Sequence, residues 1–379
     1  MRVMHINQRA GFYGGVEQIL FDTAQGLGQQ GWPQAILHQD AEADSDYLAV
    51  FEQASSSMSI MESFDPDVLF LHKFPDADTI RHLSERKTTV CMAHDHDLVC
   101  MRRHKYFPMN TRVCDRPAGI DCYTHLCFVQ KSKPGSRLPI TLKSVAQQKR
   151  FIRAHEAIRR FMVGSRWMQQ ELVMNGIPEH RIEIVPPIPA ALGEIGSHPP
   201  SDSPEILFVG QVIRGKGVDL LIRALADVGG AWHATIVGTG HHLEECKQLA
   251  RQLGIDNQVH FAGWISHHEL APIYSRAALT VVPSRWPEPF GMVGIEAMAR
   301  GRPVVGFAVG GIPDWLENNV TGFLVPEADT GAMASAIQRL LDDPRLRARF
   351  GQAAVQRVKE HYQPQNYLKQ ITQILENAE

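Results

Sequence analysis

The stretch Leu279–Pro326 reads LTVVPSRWPEPFGMVGIEAMARGRPVVGFAVGGIPDWLENNVTGFLVP. An apolar strand, Leu279–Val282, is followed by a proline-rich turn and then by a helical pattern that ends at Gly301. Two further short apolar strands, Pro303–Phe307 and Gly322–Pro326, come after the helix. Helices that alternate with buried strands are typical of a parallel sheet. We therefore expect the turn before the helix to lie at the carboxyl edge of such a sheet, where ligands bind.

Two carboxylates and a helix start mark this turn as a candidate site. Glu288 precedes the helical pattern and Glu296 lies eight residues later, about two helical turns on, so we expect both to project from the same face of one element. The backbone N–H groups at the helix start lack partners within the helix and carry the positive end of its dipole. They belong to Phe290, Gly291, Met292 and Val293. Carboxylates for hydroxyl groups and a helix end for an anion indicate a ligand that is both sugar and phosphate.

The same stretch resembles the nucleotide-sugar glycosyltransferases of the GT-B type, and within them the retaining family 4. The family signature of two glutamates separated by seven residues reads here Glu288-PFGMVGI-Glu296, within the motif PSRWPEPFG. The resemblance implies an α/β fold of two facing Rossmann-like, doubly wound parallel-sheet domains with the cleft between them. It also implies a hexosyltransferase of class EC 2.4 that moves a sugar from a nucleoside diphosphate sugar to an acceptor with retention of configuration.

The resemblance extends to the segment GQVIRGKG at positions 210–217. The family has an arginine and a lysine here that hold the donor diphosphate, and Lys216 matches the lysine. Gln211 stands at the arginine position, so we expect Arg214, three residues on, to supply the second cation. In the family's pattern Glu288 bonds the donor sugar, Glu296 bonds the ribose hydroxyl groups, and the backbone near Ile265 contacts the base.

The first half of the chain contributes a strand-tip histidine and a glycine pair. His94 follows a predicted strand, Thr88–Ala93, and a histidine at such a tip can bond a sugar hydroxyl or a phosphate. By resemblance, His94 belongs to the cleft, and Gly14 and Gly15 form the loop beside the donor phosphates and the acceptor. The pair is not the G-x-G-x-x-G of a dinucleotide site, so no NAD is implied.

Length and composition fit two soluble domains. A chain of 379 residues is too long for one core, and a formal net charge of -3 does not point to nucleic acid. We expect an acceptor-side domain over 1–186, a linker over 187–204, a donor domain over 205–362, and a last helix within 363–379 that packs back on the first domain. No apolar run suits a membrane span or a signal peptide, so we expect a cytoplasmic protein, with peripheral contact at the inner membrane face as an option.

A cysteine-bearing segment from Leu98 to Ser136 leaves two interpretations open. Four thiols lie within it, at Cys100, Cys114, Cys122 and Cys127. Their number suits zinc or an iron–sulfur cluster, but no C-x2-C pair is present. The alternative, which we favour, is a loop held by packing, whose basic run Arg102–Lys105 is free to meet an anionic acceptor or a membrane surface.

The predicted chemistry requires no cofactor. Cationic protein groups at the departing diphosphate can do the work of a divalent ion, so we expect transfer without a divalent metal. The predicted partners are the nucleoside diphosphate sugar and a carbohydrate or lipid-linked acceptor of the cell envelope, in polysaccharide biosynthesis. The alternative is a sugar-nucleotide epimerase or a non-transferring binding protein of the same fold. The donor sugar, the base, the linkage and the oligomeric state stay open.

Overall fold

The structure is a computed structural model that describes residues 1–40, 43–109, 112–132, 138–192, 195–196, 203–266 and 269–378. The chain divides into two compact units, each considered by itself below. The first unit comprises Met1–Asn110, Cys114–Ala190 and Pro364–Glu379, and the second comprises Thr111–Val113 and Ala191–Gln363. Two parts of the predicted linker over 187–204, residues 193–194 and 197–202, lie outside the described residues. Within the described parts of the chain, no helix has both the length and the apolar character needed to cross a membrane.

A parallel sheet forms the centre of the first unit. Its strands are β1 (Val3–Asn7), β2 (Gln34–Leu37), β3 (Gln53–Ser55), β4 (Val68–Lys73) and β5 (Thr89–Ala93), then β8 (Arg160–Val163) and β9 (Ile182–Ile184), while β6 (Val129–Lys131) and β7 (Ile140–Leu142) form a separate antiparallel pair. The order across the sheet is β3-β2-β1-β4-β5-β8-β9, and all pairings in it are parallel. The order reverses at β1 and β4, which is the doubly wound pattern, so ligands are expected at the carboxyl ends of these strands.

Helices cover the first sheet. They are α1 (Gly15–Gln29), α2 (Ser45–Leu48), α3 (Ile60–Phe64), α4 (Ala77–Arg86), α5 (Asp121–Thr124), α6 (Val145–Ala154), α7 (Arg166–Met174) and, from the end of the chain, α15 (Pro364–Glu376). The helix α15 packs on α1: the hydroxyl groups of Tyr367 and Thr23 lie 2.9 Å apart in a buried hydrogen bond. Since Tyr367 is 5% exposed and α15 is otherwise amphipathic, burial of its apolar face holds the chain end on the first unit.

The second unit is a six-stranded parallel sheet with helices around it. Its strands are β10 (Glu205–Val209), β11 (His233–Val237), β12 (Val259–Gly263), β13 (Leu279–Val282), β14 (Val304–Phe307) and β15 (Gly322–Val325), and its helices are α8 (Val218–Ala226), α9 (Leu243–Gln252), α10 (Leu270–Arg276), α11 (Met292–Ala299), α12 (Ile312–Trp315), α13 (Thr330–Asp342) and α14 (Pro344–His361). The order is β12-β11-β10-β13-β14-β15. The reversal lies between β10 and β13, so the segments after these two strands occupy the ligand-binding edge of the sheet.

The sequence predicted the strands of both sheets well, with two differences. The strand β3 escaped prediction because its QAS sequence has no apolar pattern. The apolar pattern over 145–161 predicts one helix, but α6 ends at Ala154 and β8 begins at Arg160. The prediction was wrong there because Ile158, Phe161 and Met162 are apolar residues that a buried strand and a helix face accommodate equally.

Candidate functional site

The segment that follows β10 and the segment that follows β13 are held together by backbone contacts. The amides of Arg285 and Trp286 both donate to the carbonyl of Gly215, each at 3.0 Å. Gly217 has φ +71°, and a Cβ at this position would lie 1.9 Å from the carbonyl oxygen of Pro283. Only glycine fits where the two segments cross at Gly217 and Pro283, because the left-handed backbone and the absence of a side chain are both required. The crossing fixes the segment that carries Lys216 against the segment that carries Glu288.

A buried arginine reinforces this crossing, and the sequence did not reveal it. Arg285 is 6% exposed and donates to both carboxylate oxygens of Asp219, at 2.9 and 2.8 Å. It also donates to the carbonyl of Arg214 at 2.7 Å. A bidentate pair of this kind specifies geometry as well as charge. The only signal in the sequence is an arginine within PSRWPEPFG, and nothing there identifies Asp219 as its partner.

The structure brings Lys216 and Glu288 together as a pair. Lys216 Nζ lies 2.7 Å from Oε1 and 2.9 Å from Oε2 of Glu288, and the hydroxyl of Ser284 also donates to Oε1. The side chain of Glu288 is 6% exposed and that of Lys216 is 26% exposed. Gly310, with φ +56°, packs against the backbone of Glu288, where a Cβ would lie 2.4 Å from its nitrogen. The carboxylate is therefore fixed in position, while the ammonium group stays accessible to a ligand.

Glu296 lies in a different environment from Glu288. It is 5% exposed on α11 and accepts a hydrogen bond of 2.9 Å from the hydroxyl of Tyr274 on α10. Burial, together with Glu296, raises the pKa of Tyr274 well above its usual value, so the hydroxyl remains a donor. The guanidinium of Arg300 lies 5.3 Å from the centre of the Tyr274 ring. Tyr274, with Arg300 beside its ring, therefore orients the carboxylate of Glu296.

The expectation that both glutamates share one helix face was wrong in its premise. The helix α11 begins only at Met292, and its N-cap Gly291 is left-handed at φ 97°. Half of the interval between Glu288 and Glu296 is therefore not helical, and a spacing of two helical turns does not apply. The left-handed glycine turns the chain before the helix, and the two carboxylates meet different partners.

The start of α11 packs tightly on a buried tryptophan. The indole N–H of Trp315 donates to the carbonyl of Phe290 at 2.7 Å. A Cβ on Gly294 would lie 2.0 Å from the ring of Trp315. Met292 and Val293 are the first helical residues after the cap. The helix N-terminus thus lies one residue beyond Gly291 and four beyond Glu288.

The other predicted donor-side residues are accessible. Arg214 and Gln211 are exposed, and Arg214 belongs to the single 3-10 turn Arg214–Lys216 after β10. Ile265 is half-buried in the segment after β12, beside Trp264, which is 73% exposed. Arg214, Gln211 and Ile265 are therefore exposed enough for a ligand to contact them.

In the first unit, His94 directly follows β5 at the carboxyl edge of the sheet and lines a cavity of about 360 Å³. The carboxylates of Asp95 and Asp97 in the same cavity both pair with Lys73, and Asp97 also lies 3.1 Å from Arg103. Burial, followed by the charge of Asp95, raises the pKa of Asp97 to about 6. The acidic residues of the HDHD sequence are therefore part of an ion-pair network.

Gly14 and Gly15 open α1, with Gly14 as its N-cap. The φ of Gly14 is 175°, an extended conformation that any residue adopts, and a Cβ there would meet no atom closer than 3.7 Å. Both glycines are exposed. The backbone alone therefore gives no reason for glycine at position 14.

The cysteine-bearing segment is held by a buried ion pair, which corrects the expectation for its basic run. Lys105 is 2% exposed and lies 2.9 Å from Glu171 on α7. Arg102 donates to the carbonyl of Val129, so Arg103 is the most exposed cation of the run. The run Arg102–Lys105 is not a free basic surface, because its cations serve to attach the segment to the unit.

The thiols of this segment pack into a small apolar cluster. Cys127 is buried with Met101, Phe107 and Val145, and Cys114 and Cys122 pack against this cluster. Burial raises the pKa of Cys127 to about 12. All six cysteines of the chain are free thiols. Among the described residues, no three or more His, Cys, Asp or Glu side chains are arranged to hold a metal ion.

Comparison with known proteins finds a sequence-family match within the second unit. Residues 195–357 match the family described as "Glycosyl transferases group 1". Among curated proteins, alpha-D-kanosaminyltransferase of Streptomyces kanamyceticus is 36% identical over 156 residues, which are 40% of each chain. The D-inositol 3-phosphate glycosyltransferase of Corynebacterium aurimucosum is 36% identical over 183 residues, 45% of this chain and 41% of that protein. The chain thus spans less than half the length of the curated relatives it matches.

Solved structures match over the whole length. Anabaena HepE in complex with UDP-glucose has a TM-score of 0.75 and 18% identity, with 99% of both chains covered. Sucrose-phosphate synthase of Thermosynechococcus elongatus has a TM-score of 0.75 and 20% identity, with 99% of this chain and 98% of that chain covered. Identities this low establish the fold alone. The chain therefore has the GT-B fold, and its residues 195–357 carry the sequence pattern of glycosyl transferases group 1.

Proposed function

We propose that this protein is a retaining glycosyltransferase of family 4 that moves a sugar from a nucleoside diphosphate sugar to a carbohydrate or lipid-linked acceptor. The observation that carries the proposal is the fixed pair of Lys216 and Glu288, at the carboxyl edge of a parallel sheet and directly before a helix N-terminus. Structures of similar fold hold UDP and UDP-glucose, which supports a nucleotide-sugar donor.

In this function Glu288 orients the donor sugar. Its carboxylate is held by Lys216 and Ser284, so it accepts hydrogen bonds from sugar hydroxyl groups without moving. Glu296, held by Tyr274, bonds the ribose hydroxyl groups, and the backbone at Ile265 contacts the base.

The diphosphate leaves between cations and the helix start. Lys216 is partly exposed and Arg214 is exposed, so both are available to an anion, while Arg285 is committed to Asp219. The amides from Phe290 to Val293 add the dipole of α11. As the bond between the anomeric carbon and the diphosphate oxygen breaks, that oxygen takes the proton of the acceptor hydroxyl, whose oxygen forms the new bond on the same face of the sugar.

In the first unit, His94 contacts a ligand hydroxyl group, and the exposed Gly14 and Gly15 allow a ligand to approach the start of α1. Cationic side chains and helix amides perform the charge stabilisation that a divalent ion provides in other enzymes, so transfer proceeds without metal. A polysaccharide or lipid-linked oligosaccharide of the cell envelope as acceptor, and a cytoplasmic location with peripheral membrane contact, complete the proposal.

The test is a panel of nucleoside diphosphates and their sugars, first for thermal stabilisation and then for turnover. A ligand that binds only the folded protein raises its melting temperature by mass action. Release of nucleoside diphosphate that requires a cell-envelope extract supports the transferase. Conversion of the donor without acceptor would support an epimerase, and stabilisation without any turnover would support a binding protein.

A further inference from the structure

A row of buried polar side chains crosses the sheet of the first unit and ends at His94. It begins at Gln34 on β2, continues through His5 on β1 and His72 on β4, and reaches His94 after β5, so it passes through four neighbouring strands. Gln34, His5 and His72 are 1%, 0% and 6% exposed. Polar groups buried to this degree must pair with one another.

The hydrogen bonds along this row are continuous. Gln34 Oε1 lies 2.8 Å from His5 Nε2, His5 Nδ1 lies 3.1 Å from His72 Nε2, and His72 Nδ1 lies 2.9 Å from His94 Nε2. The neighbouring imidazole rings are nearly parallel, with interplanar angles of 16° and 21°. Each link joins one ring nitrogen to the next, so each link needs one N–H group and one lone pair.

Gln34 sets the donor-to-acceptor direction of the hydrogen bonds along this row. The amide nitrogen of Gln34 donates to the carbonyls of Trp32 and Pro33, at 2.9 and 3.2 Å, so its oxygen must face His5. Because this oxygen only accepts, His5 carries its proton on Nε2 and leaves Nδ1 as a lone pair. His72 must therefore donate from its Nε2–H to His5 Nδ1, and His94 must donate from its Nε2–H to His72 Nδ1.

We infer that Gln34, acting through His5 and His72, fixes His94 as the Nε2–H tautomer, so that His94 Nδ1 accepts a hydrogen bond from a ligand hydroxyl group and repels a phosphate oxygen. Gln34, His5 and His72 are positioning residues in this scheme, and His94 alone meets the ligand. The inference rests on the proposed function, since it selects a sugar hydroxyl as the contact of His94 and excludes the donor phosphate.

The surroundings of His94 agree with this polarity. Its Nδ1 has no hydrogen-bond partner among the described residues, and the residue lines the cavity together with the carboxylates of Asp95 and Asp97. Burial lowers the pKa of His94 to about 4, against the opposing effect of Asp95, so the ring is neutral at pH 7. A neutral imidazole nitrogen with a lone pair repels an anionic oxygen and accepts a hydrogen bond from a hydroxyl group.

The direct test is the nitrogen-15 spectrum of the full-length protein with labelled histidine at pH 7, which separates protonated from unprotonated ring nitrogens. His94, assigned by its loss in His94→Gln, should show a protonated Nε2 and an unprotonated Nδ1. His155 provides the matched control in the same spectrum. It is buried with a pKa lowered to about 4, and its Nδ1 lies 2.8 Å from the Phe151 carbonyl, so it should show the opposite tautomer.

The variant Gln34→Leu tests whether Gln34 sets the direction of the hydrogen bonds along the row. Without the acceptor oxygen, the original direction of the hydrogen bonds leaves the buried Nε2–H of His5 unpaired. The reversed direction leaves only a lone pair on His5 Nε2 and places a proton on His94 Nδ1. We expect the Nδ1–H form of His94 to become substantially populated, with His155 unchanged. An Nδ1–H or doubly protonated His94 in the unmodified protein, or an unchanged His94 in folded Gln34→Leu, would overturn the inference. Neither readout depends on transfer activity, so failure of the proposed function would be seen separately.

Discussion

A row of neutral imidazoles crosses the sheet of the first unit and ends at its carboxyl edge, whereas paired charges lie at the carboxyl edge of the second sheet. The first row ends at His94, which offers a lone pair. The second site is built on the pair of Lys216 and Glu288, and Arg285 pairs with Asp219 in the same segments. Two sheets of the same doubly wound pattern therefore present different chemistry at corresponding edges.

This difference indicates a division of tasks that the strand order alone does not require. Neutral hydrogen-bonding groups recognise hydroxyl groups, and cations with a helix N-terminus recognise a leaving diphosphate. The two units also differ in how they use a lysine–carboxylate pair. In the first unit Lys105 and Glu171 are both 2% exposed, whereas in the second Lys216 is 26% exposed. We read the first pair as structural and the second as functional, and each reading makes predictions.

The largest expected effect on stability is at the buried pair. Lys105→Met leaves Glu171 as an uncompensated buried charge and should lower the free energy of unfolding by about 3–5 kcal/mol. The matched variant Lys216→Met should cost only about 1–2 kcal/mol, because water reaches that carboxylate more easily. Denaturant titrations of both variants measure the difference. The double variant Lys105→Met/Glu171→Leu should regain most of the loss, and equal costs for the two single variants would refute the distinction.

The next effect concerns acid stability of the first unit. Burial lowers the pKa of His5, His94 and His155 to about 4, so these groups remain neutral in the folded state while they protonate near pH 6.5 in the unfolded chain. Their contribution to stability is complete above pH 6.5 and is lost as the pH falls toward 4, by up to about 3 kcal/mol for each group.

The variant His155→Leu isolates one of these contributions. Relative to the unmodified protein, its free energy of unfolding should improve progressively between pH 6.5 and 4, because the variant no longer carries that penalty. Unfolding curves at several pH values measure this difference. A pH-independent difference between the two proteins would show that His155 is not held neutral by burial.

Arg214 and Gln211 provide a ranking within the second unit. Both side chains are exposed in the same segment, but only the guanidinium carries charge toward a diphosphate. Arg214→Ala should lower the transfer rate about 10- to 100-fold, and Gln211→Ala should change it less than about threefold. Initial rates at saturating acceptor give the comparison. The reverse ranking would remove Arg214 from the site.

The smallest effects compare glycines in helices of the two units. Gly294 on α11 has no room for a methyl group beside Trp315, so Gly294→Ala should cost about 1–3 kcal/mol. Gly28 on α1 meets no atom within 4 Å, so Gly28→Ala should stabilise the protein by about 0.5–1 kcal/mol. Melting temperatures of the two variants should move in opposite directions. Shifts of the same sign would contradict this account of the packing at α11.

The sequence predicted the two parallel sheets because buried strands produce apolar runs that do not depend on distant residues. The resemblance predicts Lys216, Glu288 and Glu296 as site residues. The expectation that both glutamates lie on one helix face was wrong, since the sequence gives no sign of the left-handed turn at Gly291. Arg285 was missed, because its partner Asp219 is 66 residues away.

The imidazole row was missed for the same physical reason. His5, His72 and His94 each look like an isolated polar residue near the end of an apolar strand, and only the strand order brings them together. The burial of Lys105 likewise depends on Glu171, which lies on another element. Pairings between distant positions decide which polar residues form a site, and local patterns do not encode them.

The most direct test of the central claim is the transfer rate of Glu288→Gln, measured with the donor identified by the thermal-shift panel. The amide keeps the shape and can still accept from Ser284, but it removes the charge that pairs with Lys216 and orients the donor sugar. We predict a loss of at least ~100-fold in turnover, on the scale of removing one preorganised electrostatic group, while the nucleoside diphosphate still raises the melting temperature. Near-normal turnover of this variant would contradict the role of the Lys216–Glu288 pair in transfer.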